Sequence, residues 1–268
     1  YLFIPFFMIW ARIMRINTIL WSHGTYLKNP YKFPNRQIHI LRHFLAKKHI
    51  IYSANEMKYI FGNKQKVVIA NNTLNFNEFQ EIKMSKSELK EKIGLNGKKV
   101  LLSVARWDDQ FRKPEMFPKL MDLLNNENYH LIAVGPGISD EIRKMLNAHQ
   151  SITFLEAIYS QNKINEYYKL ADLFIMPGAI GLAINHAFYY SLPIIIEDVP
   201  HSPEVCYFKD GENGYMFKKS SVDDFADKVR LLLENEQELK KFGQKAKHVI
   251  SKEGSFEQMV DSFLKAIL

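Results

Sequence analysis

The sequence predicts an α/β protein built on a parallel sheet with helices on both faces. From Lys99 onward, apolar strands at Val100–Val104, Leu131–Val134, Ile152–Leu155, Leu173–Met176 and Pro193–Ile196 alternate with helical segments near 115–125, 139–148, 161–170 and 182–190. The carboxyl ends of those strands carry Arg106-Trp107, Gly135-Pro136-Gly137, Pro177-Gly178 and Glu197-Asp198. Sheets of this kind take ligands beyond the carboxyl ends of their strands.

In chain order, residues 2–14 read as a buried or interfacial helix and Thr18 to Ser22 as a short strand ending in His23-Gly24. A Pro-punctuated loop, Asn29 to Asn35, leads to a helix from about Arg36 to Lys48. On that helix Ile38, Leu41 and Leu45 share one face, and Arg36, His39, His43 and Lys47 share the other. The basic face reads as solvated charge, or as a surface that docks on anionic lipid headgroups. Ile50–Ser53 and Val67–Ala70 are two more strands, Asn71-Asn72-Thr73 closes the first region, and Leu74 to Met84 reads as a linker. Ser85 and Glu88 have the spacing of a capping box at a helix that stops near Gly94. After the alternating region, Val222–Glu234, Gln237–Ile250 and Phe256–Ile267 are amphipathic helices.

At 268 residues and 47% hydrophobic content the chain can bury a substantial core in one large domain or two small ones. A single cysteine, Cys206, excludes an internal disulfide framework and suits a reducing, cytoplasmic compartment. The net charge of +7 is uneven: residues 1–75 hold eleven Lys/Arg against the single acid Glu56, and the remainder holds 25 against 28. A basic front and a near-neutral back imply different partners, and nucleic acid, an anionic membrane face or an anionic lipid-linked substrate would each suit the front. The apolar opening is cut by Arg12 and Arg15 and is too short to span a bilayer. No zinc spacing, RNA-binding aromatic signature or helix-turn-helix pattern supports nucleic-acid binding. No G-x-G-x-x-G opens a helix after the first strand, which disfavours a dinucleotide oxidoreductase.

The stretch from Ala171 to Phe217 concentrates the chemistry. A buried strand, the breaker pair Pro177-Gly178 and a helix begun at Gly181 form a unit suited to anions, because the first amides of a helix lack internal partners. A second apolar strand follows, and an acidic-Gly loop, Asp210 to Gly214, closes the unit.

These residues, in order, resemble the retaining glycosyltransferases of the GT-B fold, often called family 4 or group 1. Val104-Ala105-Arg106 with Lys113 (or Arg112) matches the family's strand–Gly-Arg…Lys opening of the donor domain. Gly135 and Gly137 match a Gly-x-Gly, and Tyr168, Ala171, Asp172 and Pro177 match a Tyr-x-x-Ala-Asp-strand-Pro signature. Gly181-Leu182, Ala187, Pro193, Glu204 and Asp210-Gly211-x-Asn213-Gly214 follow near family spacing. Each motif alone is weak; the ordered combination is specific. The likeness implies two Rossmann-like domains facing a cleft, with a partial acceptor-binding domain at 1–75. A nucleotide-sugar donor domain at 76–254 and a helix at 255–268 that crosses back to the first domain would complete it. The family's first domain has further strands, so the likeness implies that this chain is amino-terminally incomplete.

By that resemblance Arg106 and Lys113 clamp the donor diphosphate, with Gly135, Gly137, Gly178, Gly181, Leu182, His186 and Glu204 around the donor. His23 resembles the histidine at the family's inter-domain cleft, and Asn72 the asparagine at its domain linker. One departure stands out. The family's paired glutamates fall here on Gly178 and His186, so neither position has a carboxylate. His186 either makes one ribose hydrogen bond or is a satisfied helix histidine. Glu204 either contacts ligand or caps a helix start, and His23 either orients a sugar or holds a turn. The His-x-Pro-Glu loop from His201 to Glu204 resembles a polysaccharide-building sub-group. Asp108-Asp109 lacks a third ligand nearby, so no obligatory metal and no cofactor is expected beyond the donor substrate. The implied activity is retaining transfer of a sugar to a glycan or lipid-linked glycan, as in O-antigen (lipopolysaccharide) or capsule assembly. It would take place in the cytoplasm or on the inner membrane face. The rival reading is a non-catalytic homologue that binds a nucleotide sugar without turnover.

Overall fold

A computed structural model describes residues 3–25, 32–108, 111–125 and 127–268. Residues 29–31 of the expected loop, and Asp109 of the acidic pair, lie outside them. The chain divides into two compact units, Tyr1–Thr73 with Glu253–Leu268, and Leu74–Lys252. In chain order the first unit begins with α1 (Phe3–Ile13), β1 (Ile19–Trp21), α2 (Asn35–Leu45), β2 (Lys48–Ile51) and β3 (Val67–Ile69). The second follows with α3 (Lys86–Lys92), β4 (Lys99–Val104), α4 (Met116–Leu124), β5 (Tyr129–Val134), α5 (Asp140–Asn147), β6 (Ile152–Leu155) and α6 (Gln161–Leu170). It continues with β7 (Leu173–Met176), α7 (Ala183–Tyr189), β8 (Ile194–Glu197), β9 (Gly214–Phe217), α8 (Val222–Leu233) and α9 (Glu236–Glu253); α10 (Phe256–Ile267) belongs to the first unit.

The first unit is a parallel sheet in the order β1-β2-β3. Met8 of α1 packs with Leu20 and Ala46, and Ala266 of α10 packs with Ile50 and Ala70. Phe263 meets Trp21 edge to face at 4.9 Å. The sequence expectation for the second helix fails here. It ends at Leu45, where Ala46 takes an extended conformation, and its His39, Arg42 and His43 are buried while Leu41 and Phe44 are exposed. The cause is a histidine cluster: the His43 ring packs edge to face on His49 at 5.0 Å, and its Nδ1 accepts from the Phe61 amide at 3.1 Å. Burial pushes His43 down to about 3, so it packs as a neutral ring. Of the supposed solvated or lipid-docking face, His39 and His43 are therefore interior, while Arg36 and Lys47 stay exposed.

The second unit holds the expected parallel sheet, with strand order β6-β5-β4-β7-β8-β9. Its order reverses between β4 and β7, the point at which open α/β sheets leave a crevice beyond the strand ends. Leu101, Leu102, Leu131, Phe174, Ile175 and Ile195 are fully buried, as strands covered on both faces require. The sixth strand, β9, was not expected; four residues long and opening on glycine, it carries little alternating apolar signal. Gly214 lies so close to the Ile194 carbonyl that any side chain there would overlap it. The supposed linker is also more ordered than read. Phe76 stacks on Tyr189 at 4.6 Å, so residues from Leu74 belong to the second unit. The capping box is present as expected, with the Ser85 amide donating to Glu88 at 2.6 Å.

Asp172, just ahead of β7, ties three elements together. Its carboxylate accepts from the Val100 amide at 2.6 Å and pairs with Lys86 and Lys90 at 2.8 and 2.6 Å. Replacing one member of such a shielded cluster strands the others. Asp172→Asn is expected to lower the unfolding free energy of the second unit by about 3 kcal/mol, read by urea denaturation.

Candidate functional site

The carboxyl edge of the second sheet is organised by residues 105–108 and 111–113, which follow the central strand β4 and meet the ends of both its neighbours. On the β5 side, the Trp107 amide donates to the Pro136 carbonyl at 2.8 Å. Gly135, at φ +139°, has no room for a side chain because the Ala105 carbonyl fills that space; a Cβ on Gly137 would lie 2.7 Å from the Asp108 Cβ. On the β7 side, the Lys113 amide donates to Pro177 at 3.2 Å and the Ala179 amide to Phe111 at 2.9 Å. Gly178, at φ +94°, is covered by the Phe111 carbonyl and the Arg112 Cα. Trp107, 5% exposed, packs edge to face on Phe117 at 5.7 Å and anchors the segment. These glycines are demanded by backbone contact, a signal that Gly-x-Gly spacing alone does not separate from ligand contact.

The cations expected to clamp a diphosphate are both at this edge, and both are paired. The exposed Arg106 guanidinium donates to Asp108 at 2.8 Å, which raises the arginine further and holds the Asp108 carboxyl below its ordinary range. Arg112 donates to the Arg106 carbonyl at 3.1 Å, so it braces the backbone of that residue. The Lys113 ammonium donates to the fully buried Glu197 at the end of β8 and to the Ser220 hydroxyl at 2.9 Å. Neither Glu197 nor Ser220 was singled out as a site residue; Glu197 stood out only as an acid ending an apolar strand.

Beyond β7, residues 180–182 and the loop after β8 are clasped together. The Ile180 amide donates to His201 Nδ1 at 3.1 Å, and the Ser202 amide donates to the Ile180 carbonyl at 3.1 Å. A Cβ on Gly181 would lie 3.4 Å from Ser202 Oγ and 3.9 Å from a Glu204 carboxylate oxygen, so Gly181 and Glu204 are neighbours. Glu204 is buried in a 3-10 turn, Pro203–Tyr207. Leu182, 41% exposed, caps α7, which begins at Ala183 and runs only seven residues. His186 is the satisfied histidine of the two readings. Its Nε2 is 2.6 Å from Asn165 Oδ1, and its ring stacks on Tyr168 at 3.8 Å. Burial lowers it to about 3.

In the first unit, His23 sits just past β1 with Nδ1 2.6 Å from Glu56 Oε1. The other Glu56 oxygen accepts from the Tyr52 and Ser53 amides at 2.7 and 3.2 Å. The buried carboxylate thus fixes one ring nitrogen and leaves Nε2 for a ligand or water. Ser53-x-x-Glu56 is a capping box legible in the sequence, although its second task was not. A separate hollow of about 350 Å³ in this unit is lined by Arg12, Arg15, Lys47 and Lys66. Among the described residues no group of three or more His, Cys, Asp or Glu is placed to hold a metal ion, and no helix is long and apolar enough to cross a membrane.

Glycine loops and two cations thus edge the carboxyl ends of the strands at the point where the sheet order reverses. Residues 85–249 match the family Glycosyl transferases group 1, and the chain belongs to it. It is 25% identical over 143 residues to a poly(ribitol-phosphate) alpha-N-acetylglucosaminyltransferase of Staphylococcus aureus (strain COL), covering 52% of this chain and 29% of that protein. The sulfoquinovosyl transferase SQD2 of Arabidopsis thaliana is 22% identical over 142 residues, covering 52% and 27%. The matches thus span less than a third of the length of these relatives. In fold, the chain is similar to Anabaena HepE in complex with UDP, with TM-score 0.82 and 14% identity over 98% of this chain and 75% of that one. A glycosyltransferase from Rickettsia africae gives TM-score 0.76 at 15% identity over 96% and 72%.

Two outcomes follow from this geometry. Gly178→Ala forces a strained φ against the Phe111 carbonyl and is expected to cost about 2 kcal/mol or more, measured by denaturant unfolding. For His186, the ordinary value of 6.5 in the unfolded chain lies above the folded value of about 3. Its contribution to stability is therefore whole above pH 6.5 and is lost as pH falls toward 3. His186→Gln is expected to flatten the fall in unfolding midpoint between neutral and acid pH, read by thermal scans across that range.

Proposed function

We propose that the protein is a retaining glycosyltransferase that moves a sugar from a nucleoside-diphosphate sugar to a growing glycan. The observation that supports this most is the joint placement of Arg106, Lys113 and the Gly178–Leu182 segment at the switch point of a family member's sheet. In the transfer the bond from the anomeric carbon to the phosphate oxygen breaks, and negative charge develops on the departing diphosphate. Arg106 and Lys113 stabilise that charge, and the amides at Gly181-Leu182 add donors. Arg106 turns from Asp108 to the phosphate when donor binds, since that pair is solvent-exposed and weak. His23, held by Glu56, orients a sugar hydroxyl through Nε2. With no carboxylate at position 178 or 186, the incoming hydroxyl attacks on the face the leaving group departs from and passes its proton to the departing phosphate oxygen, without a covalent sugar intermediate. No metal or cofactor is assigned a step.

The acceptor in this reading is an anionic or lipid-linked glycan of an O-antigen or capsule pathway, met at the cytoplasmic membrane surface. The charge of the first 75 residues and the hollow lined by Arg12, Arg15, Lys47 and Lys66 support it. The exposed Phe3, Phe6, Phe7, Trp10 and Ile13 of α1 replace the second helix as the surface suited to lipid. A second reading has its own observation: backbone fills the carboxylate space at Gly178 and packing occupies His186. On that reading the protein binds a nucleotide sugar without turning it over.

Thermal stabilisation against UDP, GDP, ADP and CMP and their sugar conjugates tests both. One nucleoside diphosphate is expected to raise the unfolding midpoint, and Arg106→Ala is expected to abolish the rise. Turnover of the matching sugar conjugate separates enzyme from binder, and no shift with any nucleotide contradicts both readings.

A further inference from the structure

Glu197, Lys113 and Ser220 form a cluster that the donor reading does not call for. Glu197 ends β8 and is fully buried. Its Oε1 accepts from the Lys113 ammonium and from the Ser220 amide at 2.9 Å, and its Oε2 is buried with no hydrogen-bond partner among the described residues. Ser220 holds the left-handed region at φ +59° to make both of its contacts, its amide to Glu197 and its hydroxyl to Lys113 at 2.9 Å. Backbone strain and a buried carboxylate both cost stability, and an apolar group in place of the ion pair would fold as well or better. The arrangement is therefore explained by what it does to the lysine. An ammonium has three N–H donors; two are committed, and the side chain keeps 24% exposure.

We propose that Glu197, with Ser220, is the positioning residue for Lys113, fixing its ammonium so that one N–H is presented to a phosphate oxygen at the carboxyl edge of the sheet. A free lysine there would sample many rotamers and lose that entropy on binding; this one has lost it on folding. The assignment rests on the donor-site reading above, and the test is built so that the two fail separately.

A double-mutant cycle with Lys113→Met, Glu197→Gln and the double variant, on the affinity for UDP and for pyrophosphate as a base-independent probe, reads the coupling. Each single change is expected to weaken binding about tenfold, the worth of one charged hydrogen bond, and the double variant to bind no worse than Lys113→Met. Nitrogen-15 relaxation of the Lys113 ammonium gives a second readout: in Glu197→Gln its N–H order is expected to fall below that of the parent. Losses that add, or an ammonium order unmoved by Glu197→Gln, overturn the proposal. If the order falls but Lys113→Met leaves both ligands' affinity intact, the donor reading falls while the positioning of Lys113 stands. Should Glu197→Gln fail to fold, Ser220→Ala removes one arm at the rim. It is expected to show a smaller loss, again absent in the Lys113→Met background, and an additive loss would again contradict the proposal.

Discussion

The second unit depends on one steric constraint: the backbone of residues 105–108 meets the loop after β5, and that of residues 111–113 the loop after β7, at contact distance. Gly135, Gly137 and Gly178 exist in their conformations because that segment occupies the space a side chain would need. The constraint begins at β4, which is hydrogen-bonded to β5 on one side and β7 on the other. A strand with neighbours running to opposite sides opens the crevice, and the segment leaving it is the natural bridge across. Trp107 pins the bridge from below, and Arg106, Arg112 and Lys113 come from its length. Placement of the cations thus follows from backbone packing rather than from their own attractions.

Electrostatics then sorts the two cations. Arg106 pairs with Asp108 in solvent, where screening makes the bond exchangeable. Lys113 is held from beneath by a carboxylate that water does not reach. One cation is therefore paired in solvent and the other is held against a buried acid. The same economy of position appears in the first unit, where the buried Glu56 both starts a turn and holds His23.

The sheet and its helices were legible because strands buried on both faces read as uninterrupted apolar runs, and their helices keep a 3.6-residue period. β9 escaped because four residues opening on glycine carry little periodic signal. α2 was misread because periodicity ranks histidine as polar, whereas neutral rings pack on one another; His39, His43 and His49 do so here. At the candidate site, Arg106, Lys113, Gly135, Gly137 and Gly178 were singled out because strand ends are where such sheets bind ligands. Their physical partners were not, since Phe111, Glu197 and Ser220 meet them only across 84 to 107 residues of chain or through backbone contact. The paired-carboxylate departure was visible as a substitution, and its steric reason at Gly178 required coordinates.

The central claim is that the bridge segment and the loops it touches hold a nucleoside diphosphate. A crystal structure of the protein soaked with the nucleoside diphosphate that stabilises it tests this most directly. The account predicts the diphosphate at the carboxyl edge between β4 and β7, with Arg106 turned from Asp108 to a phosphate oxygen. It also predicts Lys113 contacting phosphate while still bonded to Glu197. A nucleotide bound elsewhere, or a diphosphate that leaves Arg106 on Asp108 and Lys113 untouched, would contradict it.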